Sequence, residues 1–391
     1  MTTHPLALKA TLLFVASLTI MAGTIIAPSL PAIKLVFAET PHVDLLSRMV
    51  LTLPAIFVAI SAPLAGIVAD RLGRKFLLIL SMMLYAIAGM SGLWAETLHG
   101  ILAGRAALGL AIGGIMTVST TLVGDHFEGA ERERYLGLQQ AFTQFGGVAF
   151  VLTGGLVADL HWRAPFAIYA ASLLILPAVI IVLKDRIARQ TGLSGKDISA
   201  PVHWPSIALL CLTVFLVNAL FYTVPSQLPF FLQESGVGRA STTGSAIALF
   251  NLTGALIGLW FGWFRGRFPV FTLLSVGLAL MALGAGLLSF ASTLYSIFCA
   301  VAIMGLGLGL VMPSLMSMTI ELAPVNRRGR IVGFVTGSMF LGHFTSPLIS
   351  QPWLGWFGFG QMFRDIAILF AVMGLMTLIT TGRRHRIGAQ G

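Results

Sequence analysis

The chain has 391 residues, of which 57% are apolar and only 10% are charged, against roughly 25% charged in an ordinary soluble domain. That balance excludes a soluble globule. Twelve spans of about 21 residues would use about 250 residues, which leaves no length for a sizeable soluble catalytic domain. The net charge of +10 does not mark nucleic-acid binding, because the basic residues sit between apolar runs rather than along one polar face. Cys211 and Cys299 lie inside apolar runs and make neither a disulfide framework nor a metal-ligand cluster.

Apolar runs between helix breakers predict spans at 10–37, 46–69, 76–95, 99–124, 135–158, 164–183, 204–233, 241–264, 270–290, 294–320, 331–350 and 361–382. The first run follows only Lys9 and lacks a small-residue cleavage site, so it is expected to stay as a span in the mature protein. Of the 24 Lys and Arg residues, 18 fall on alternate connections and on the two tails. By the positive-inside rule those segments are cytoplasmic, which puts both termini there. The longest connection, 184–203, contains Lys196, Asp197 and Pro201 and is expected to be a cytoplasmic linker between the bundles 1–183 and 204–391, the second ending in a short basic tail.

The halves also align with each other. Asp125 to Leu138 matches Glu321 to Phe334 without gaps at an offset of 196, with the acid, two arginines and the following glycine coinciding. Two parallel six-helix repeats with a site between them are a common plan for secondary transporters.

Gly66-Ile67-Val68-Ala69-Asp70-Arg71-Leu72-Gly73-Arg74-Lys75 joins the second and third spans. It resembles motif A of the major facilitator superfamily, G-x-x-x-D-R-x-G-R-K/R, at every defining position. The resemblance implies an all-α integral membrane protein with twelve transmembrane helices in two pseudo-symmetric six-helix bundles. It also implies a cytoplasmic gate made of Gly66, Asp70, Arg71, Gly73, Arg74 and Lys75, with Asp70 facing the start of the eleventh helix and an arginine pairing with Asp125. Gly104-Arg105-Ala106-Ala107-Leu108-Gly109 in the fourth span is similar to the family's motif B. Arg105 lies about 9 Å from the outer end of that helix. The resemblance implies a part in proton transfer or cavity electrostatics for this intramembrane arginine; the alternative is that it snorkels outward or bonds backbone carbonyls structurally. Gly137, Gly146, Gly154 and Gly155 fall on the glycine positions of the antiporter motif in the fifth span, but Phe150-Val151 replaces its central Gly-Pro. In the first span, Thr24 to Ile33 resembles the drug-exporter signature, with Ala22 where many members carry an aspartate. The branch most resembled is the drug:proton antiporters.

The same resemblance implies a cavity lined by spans 1, 2, 4, 5, 7, 8, 10 and 11. Its deep candidates, besides Arg105, are Met21, Thr24, Met116, Gln140, Gln144, Asn218, Phe221, Tyr222, Gln227, Phe250, Asn251, Met339, Phe340 and His343. Aromatic, methionine and amide groups suit an amphipathic organic solute. His343 is the candidate proton carrier, with interhelical hydrogen bonding as its alternative role. No P-loop, zinc-protease or nucleophile-elbow motif is present, so neither an enzyme nor a nucleotide-driven pump is expected. Neither cofactor nor metal is expected, with a proton gradient as the energy source. The expected partners are a small-molecule substrate and the bilayer, for a chain working as a monomer. Asn251-Leu252-Thr253 is a sequon inside the eighth span, so it cannot be glycosylated there; this and the short loops point to a bacterial plasma (inner) membrane. The leading reading is a secondary exporter of amphipathic compounds. The alternatives are an importer or facilitator of a neutral metabolite, and a non-transporting sensor.

Overall fold

The computed structural model describes residues 6–127, 129–183, 203–324 and 327–388. The expected linker 184–203, except His203, lies outside the described residues, as does the side chain of Asp70. The described chain is helical throughout: α1 Leu6–Val36, α2 Val43–Leu72, α3 Arg74–Leu93, α4 Leu98–His126, α5 Gly129–Leu160, α6 Ala164–Val182, α7 Trp204–Glu234, α8 Ala240–Arg265, α9 Val270–Ser289, α10 Leu294–Leu322, and α11 and α12 within Arg328–Gly388. Every backbone donor and acceptor in a bilayer core must be satisfied within the protein, and a helix does this segment by segment.

The last two spans depart from expectation. In place of a connection over 351–360, the helix runs on past Pro352, and a single residue, Gly358, separates 328–357 from 359–388. Its φ of 75° and ψ of 172° lie in a region essentially restricted to glycine, so one residue makes the whole turn. Gly73, at φ 89°, does the same between α2 and α3 within motif A.

The internal repeat is visible in the packing. Thr97 and Thr293, again 196 apart, each accept a hydrogen bond from the first turn of the helix they cap, α4 and α10. Gly109 and Gly113 of α4 press on Pro54 and Ser61 of α2, while Gly305 and Gly309 of α10 press on Phe250 and Gly254 of α8. Small residues at this spacing let two helix backbones approach closely, the main source of affinity between helices in lipid. Each half thus builds the same α2–α4 or α8–α10 pair. Large apolar side chains such as Leu174, Ile181, Leu259 and Leu375 remain exposed, as a lipid-facing surface requires. Exposed Trp94, Tyr295 and Trp356 at one end, and Trp204 and Trp263 at the other, stand where aromatic belts meet the headgroups.

Candidate functional site

The two ends of the molecule differ in how the halves meet. At the end bearing motif A, called here the basic end, the ion pairs among described residues each stay within one half. They are Lys9–Glu131 at 2.8 Å, Arg74–Asp125, and Arg265–Glu321 at 2.9 Å. In the last two the acids, Asp125 and Glu321, are repeat-related at the ends of α4 and α10, and they meet the first residue of α3 and the last residue of α8. Lys75 donates to Ile180 O at 2.7 Å, also within its half, and Arg71 is exposed.

The far end is where the halves join. Arg48, at the start of α2 and 2% exposed, donates from Nε to Gln227 Oε1 of α7 at 2.7 Å. Gln227 passes its own Nε2 to Ser350 Oγ of α11 at 2.8 Å, and the guanidinium lies 3.8 Å from the centre of the Phe230 ring. Beside this chain, a cavity of about 350 Å³ is bordered by Lys34, Asp44, Glu234 and Gln351. On α5, Gly155 meets α8 so closely that a Cβ there would stand 2.8 Å from Ala240 O, and one on Gly244 would stand 2.7 Å from Val151 O. One turn along, Asp159 Oδ1 accepts a hydrogen bond from Ser241 N at 3.3 Å. Toward the basic end the described glycines make no such approach. A Cβ on Gly137 of α5, or on Gly333 or Gly337 of α11, would find nothing within 4 Å.

Between the ends, α7, α8 and α11 gather a ring cluster. His343, halfway along α11, stacks on Tyr222 with centroids 4.1 Å apart. The edges of Phe221 and Phe340 flank it at 5.8 Å, and Phe221 stacks in turn on Phe250. His343 Nε2 lies 3.0 Å from Asn218 Oδ1. Tyr222 Oη closes the top of the cluster, 3.4 Å from where a Cβ on Gly23 of α1 would be.

The other expected cavity residues distribute unevenly. Met339 and Phe340 are partly exposed beside His343, Asn251 keeps a buried Nδ2 without a protein partner, and Gln140, Gln144 and Met116 of the first half keep exposed or half-exposed side chains. Met21, Asn218 and Phe250 are buried, so they support the cluster from behind rather than line it. Thr24 bonds its own helix at Ile20 O. Gln227 is not a cavity residue in this state, because it is fully buried in the far-end junction. Of the helix 5 glycines, Gly146 meets Ser17, Gly154 meets Ile25, and Gly155 meets α8, while Gly137 is open.

Arg105 is also turned away from the cleft. It is 0% exposed, donates from Nη1 to Tyr169 Oη at 2.9 Å and from Nη2 to Gly89 O at 2.8 Å, and faces the rings of Phe166 and Tyr169. Tyr169 Oη donates on to Ala22 O at 3.1 Å. The backbone carbonyl of Ala22 is thus joined to the guanidinium of Arg105 through a tyrosine hydroxyl. In this geometry Arg105 bonds one backbone carbonyl and one tyrosine hydroxyl. Tyr169 and Arg48 are the two residues that the motifs did not single out.

Comparison with known proteins agrees with this architecture. The sequence model described as Major Facilitator Superfamily matches residues 12–347, and again 210–389. The class C tetracycline resistance protein of Escherichia coli is 26% identical over 332 residues, 82% of this chain and 83% of its own. The multidrug resistance protein MdtG of Enterobacter lignolyticus (strain SCF1) is 24% identical over 376 residues, 93% of this chain and 89% of its own. Among solved structures, a D-xylose–proton symporter superposes with a TM-score of 0.75 at 15% identity, over 94% of this chain and 97% of that one. With its two repeated bundles, joined at one end and parted at the other, the chain belongs to the major facilitator superfamily and is a multi-pass membrane transporter.

Proposed function

We propose that the protein exports small amphipathic organic compounds across a bacterial plasma membrane by alternating access, in exchange for protons. The observation that carries this reading is a junction that holds the halves together at the far end, ion pairs that stay within each half at the basic end among the described residues, and rings, methionine and amides gathered between the two ends. The positive-inside rule makes the basic end cytoplasmic, so this is the inward-open state, in which an exporter loads. Asp70 belongs to the opposite state, where it would face the positive dipole end of α11 once the basic end closes. Similarity to proteins named for resistance to tetracycline and to multiple drugs supports export, which would serve such a role.

For proton exchange, His343 is the ionisable side chain among these rings, and a neutral imidazole can take up a proton at its free nitrogen. Everted vesicles test this reading. Imposing an acidic lumen should drive accumulation of a fluorescent amphiphile, and His343→Gln should remove the dependence on the gradient while retaining binding. Accumulation that is equal with and without the gradient would sink the exchange. A second reading, an importer or facilitator of a neutral metabolite, draws on Ala22 in place of an acid; flux indifferent to pH and equal in both directions would favour it. Binding with no flux in either direction would leave only a sensor.

A further inference from the structure

His343 has only one of its two nitrogens committed to the protein. Asn218 Nδ2 donates to Val214 O at 2.8 Å, which orients that amide so that Oδ1 is the acceptor for the imidazole. Nε2 therefore carries the hydrogen, and in the neutral ring Nδ1 is left with a bare lone pair. Nδ1 makes no hydrogen bond to the protein, and it is not one of the polar atoms sealed from solvent. The ring cannot easily turn to hide it, with Tyr222 stacked on one face and Phe221 and Phe340 at its edges. Asn218, 1% exposed, sets the tautomer from behind, out of reach of a bound compound.

The apex also lacks formal charge. On the eight cavity helices, described acids and bases lie near the helix ends, except Arg105, which is enclosed in the first bundle. A cation would find ring faces but no carboxylate, and an anion would find no free base. We propose that His343 is a specificity-determining residue whose Nδ1 accepts a hydrogen bond from a hydroxyl or N–H group of a flat, uncharged aromatic compound seated among these rings. The proposal rests on the transport reading above. A lone acceptor among rings discriminates strongly, because an analogue without the donor desolvates the lone pair and returns nothing.

Three coumarins on one scaffold separate the possibilities: aminocoumarin, its N,N-dimethyl analogue and its trimethylammonio analogue. Equilibrium binding to the purified full chain in lipid nanodiscs should favour the amino over the dimethyl form by about 10-fold or more, with the trimethylammonio form weakest. His343→Phe keeps a ring and removes the lone pair, so the amino-to-dimethyl ratio should fall to within about two-fold. His343→Gln can give its amide hydrogens to Asn218 and leave an oxygen toward the cleft, so it should retain most of the preference. If His343→Phe does not insert, Asn218→Leu is read instead; by releasing the tautomer it should also lower the ratio. A wild-type ratio near one, a ratio unchanged in His343→Phe (or in Asn218→Leu where that is read instead), or tightest binding of the trimethylammonio form would overturn the assignment, the last by making the rings an ammonium cage. Gradient-driven uptake of the same coumarins into everted vesicles is scored separately. Equal uptake of amino and dimethyl forms would leave export standing and remove His343 as the selector. A preserved binding ratio without uptake would do the reverse.

Discussion

Arg105 shows how a buried cation can be held without a carboxylate. Its guanidinium fork reaches a carbonyl of α3 and the hydroxyl of Tyr169 on α6, two hydrogen bonds strengthened by the charge they share. Ring faces cover much of the remainder. Because Tyr169 also bonds Ala22 O, the Arg105–Tyr169 pair ties α1, α3, α4 and α6 together. Arg105→Ala should therefore cost stability, about 2–5 kcal/mol by comparison with other large-to-small changes in packed interiors. In detergent it should melt well below the wild type, while the folded fraction keeps its substrate affinity within about two-fold. A large loss of affinity at unchanged melting temperature would return Arg105 to the cleft. The depth of Arg105 was legible from helix rise alone, but its direction was not. The clue lay in Tyr169, whose hydroxyl, set in an apolar span, needs a partner.

Helix α5 records the angle between the bundles along its own length. Near its end Gly155 touches the backbone of α8, and near its start Gly137 touches nothing, so a single substitution tests which state each end serves. Gly155→Ala puts a methyl against Ala240 O and Ser241, where backbone must shift. Overpacking of this kind costs about 1–3 kcal/mol, charged only to the state in which the far end is shut. The expected result is a several-fold shift toward the opposite state, read as slower labelling of a cysteine placed at Gln140 in everted vesicles. Labelling at the wild-type rate would mean that the seam is not a moving contact. The spans themselves were readable from sequence because a bilayer asks for about 20 apolar residues. The α11–α12 connection was not: Trp353, Leu354, Trp356 and Phe357 sit where a loop was expected, and Gly358 completes the turn alone. Gln227 was misplaced for another reason. Its polarity marked it as important, but only the closed arrangement of the two halves determines that Arg48, rather than solute, is its partner.

At the scale of the whole molecule, orientation follows from the distribution of charge. With 18 of the 24 basic residues on alternate connections and the two tails, those segments, both termini and the connecting segment 184–203 should face the cytoplasm. Lys196→Cys should stay unlabelled when an impermeant thiol reagent is added outside intact cells and react once the membrane is opened. Labelling from outside would invert the topology and, with it, the direction of transport. The two-fold repeat was legible in the acid and arginines at an offset of 196. The structure extends it to the capping threonines Thr97 and Thr293 and to the glycine pairs of α4 and α10.

The far-end junction also bears on the medium outside the cell. Among the described residues, nothing that joins the halves there is a pair of opposite formal charges: Arg48 meets an amide, Asp159 meets a backbone N–H, and Gly155 meets Gly244 through bare backbone. Dissolved ions weaken attraction between charges that solvent can reach, over a screening length that shrinks from about 30 Å in dilute solution to about 3 Å in brine. Arg48 does have the exposed carboxylate of Asp44, in its own half, 3.8 Å away, but the links across the seam itself, an amide, a backbone N–H and close-packed glycines, offer dissolved ions little to act on. The fraction of molecules resting with the outer door shut should therefore be nearly the same in fresh water and in brine.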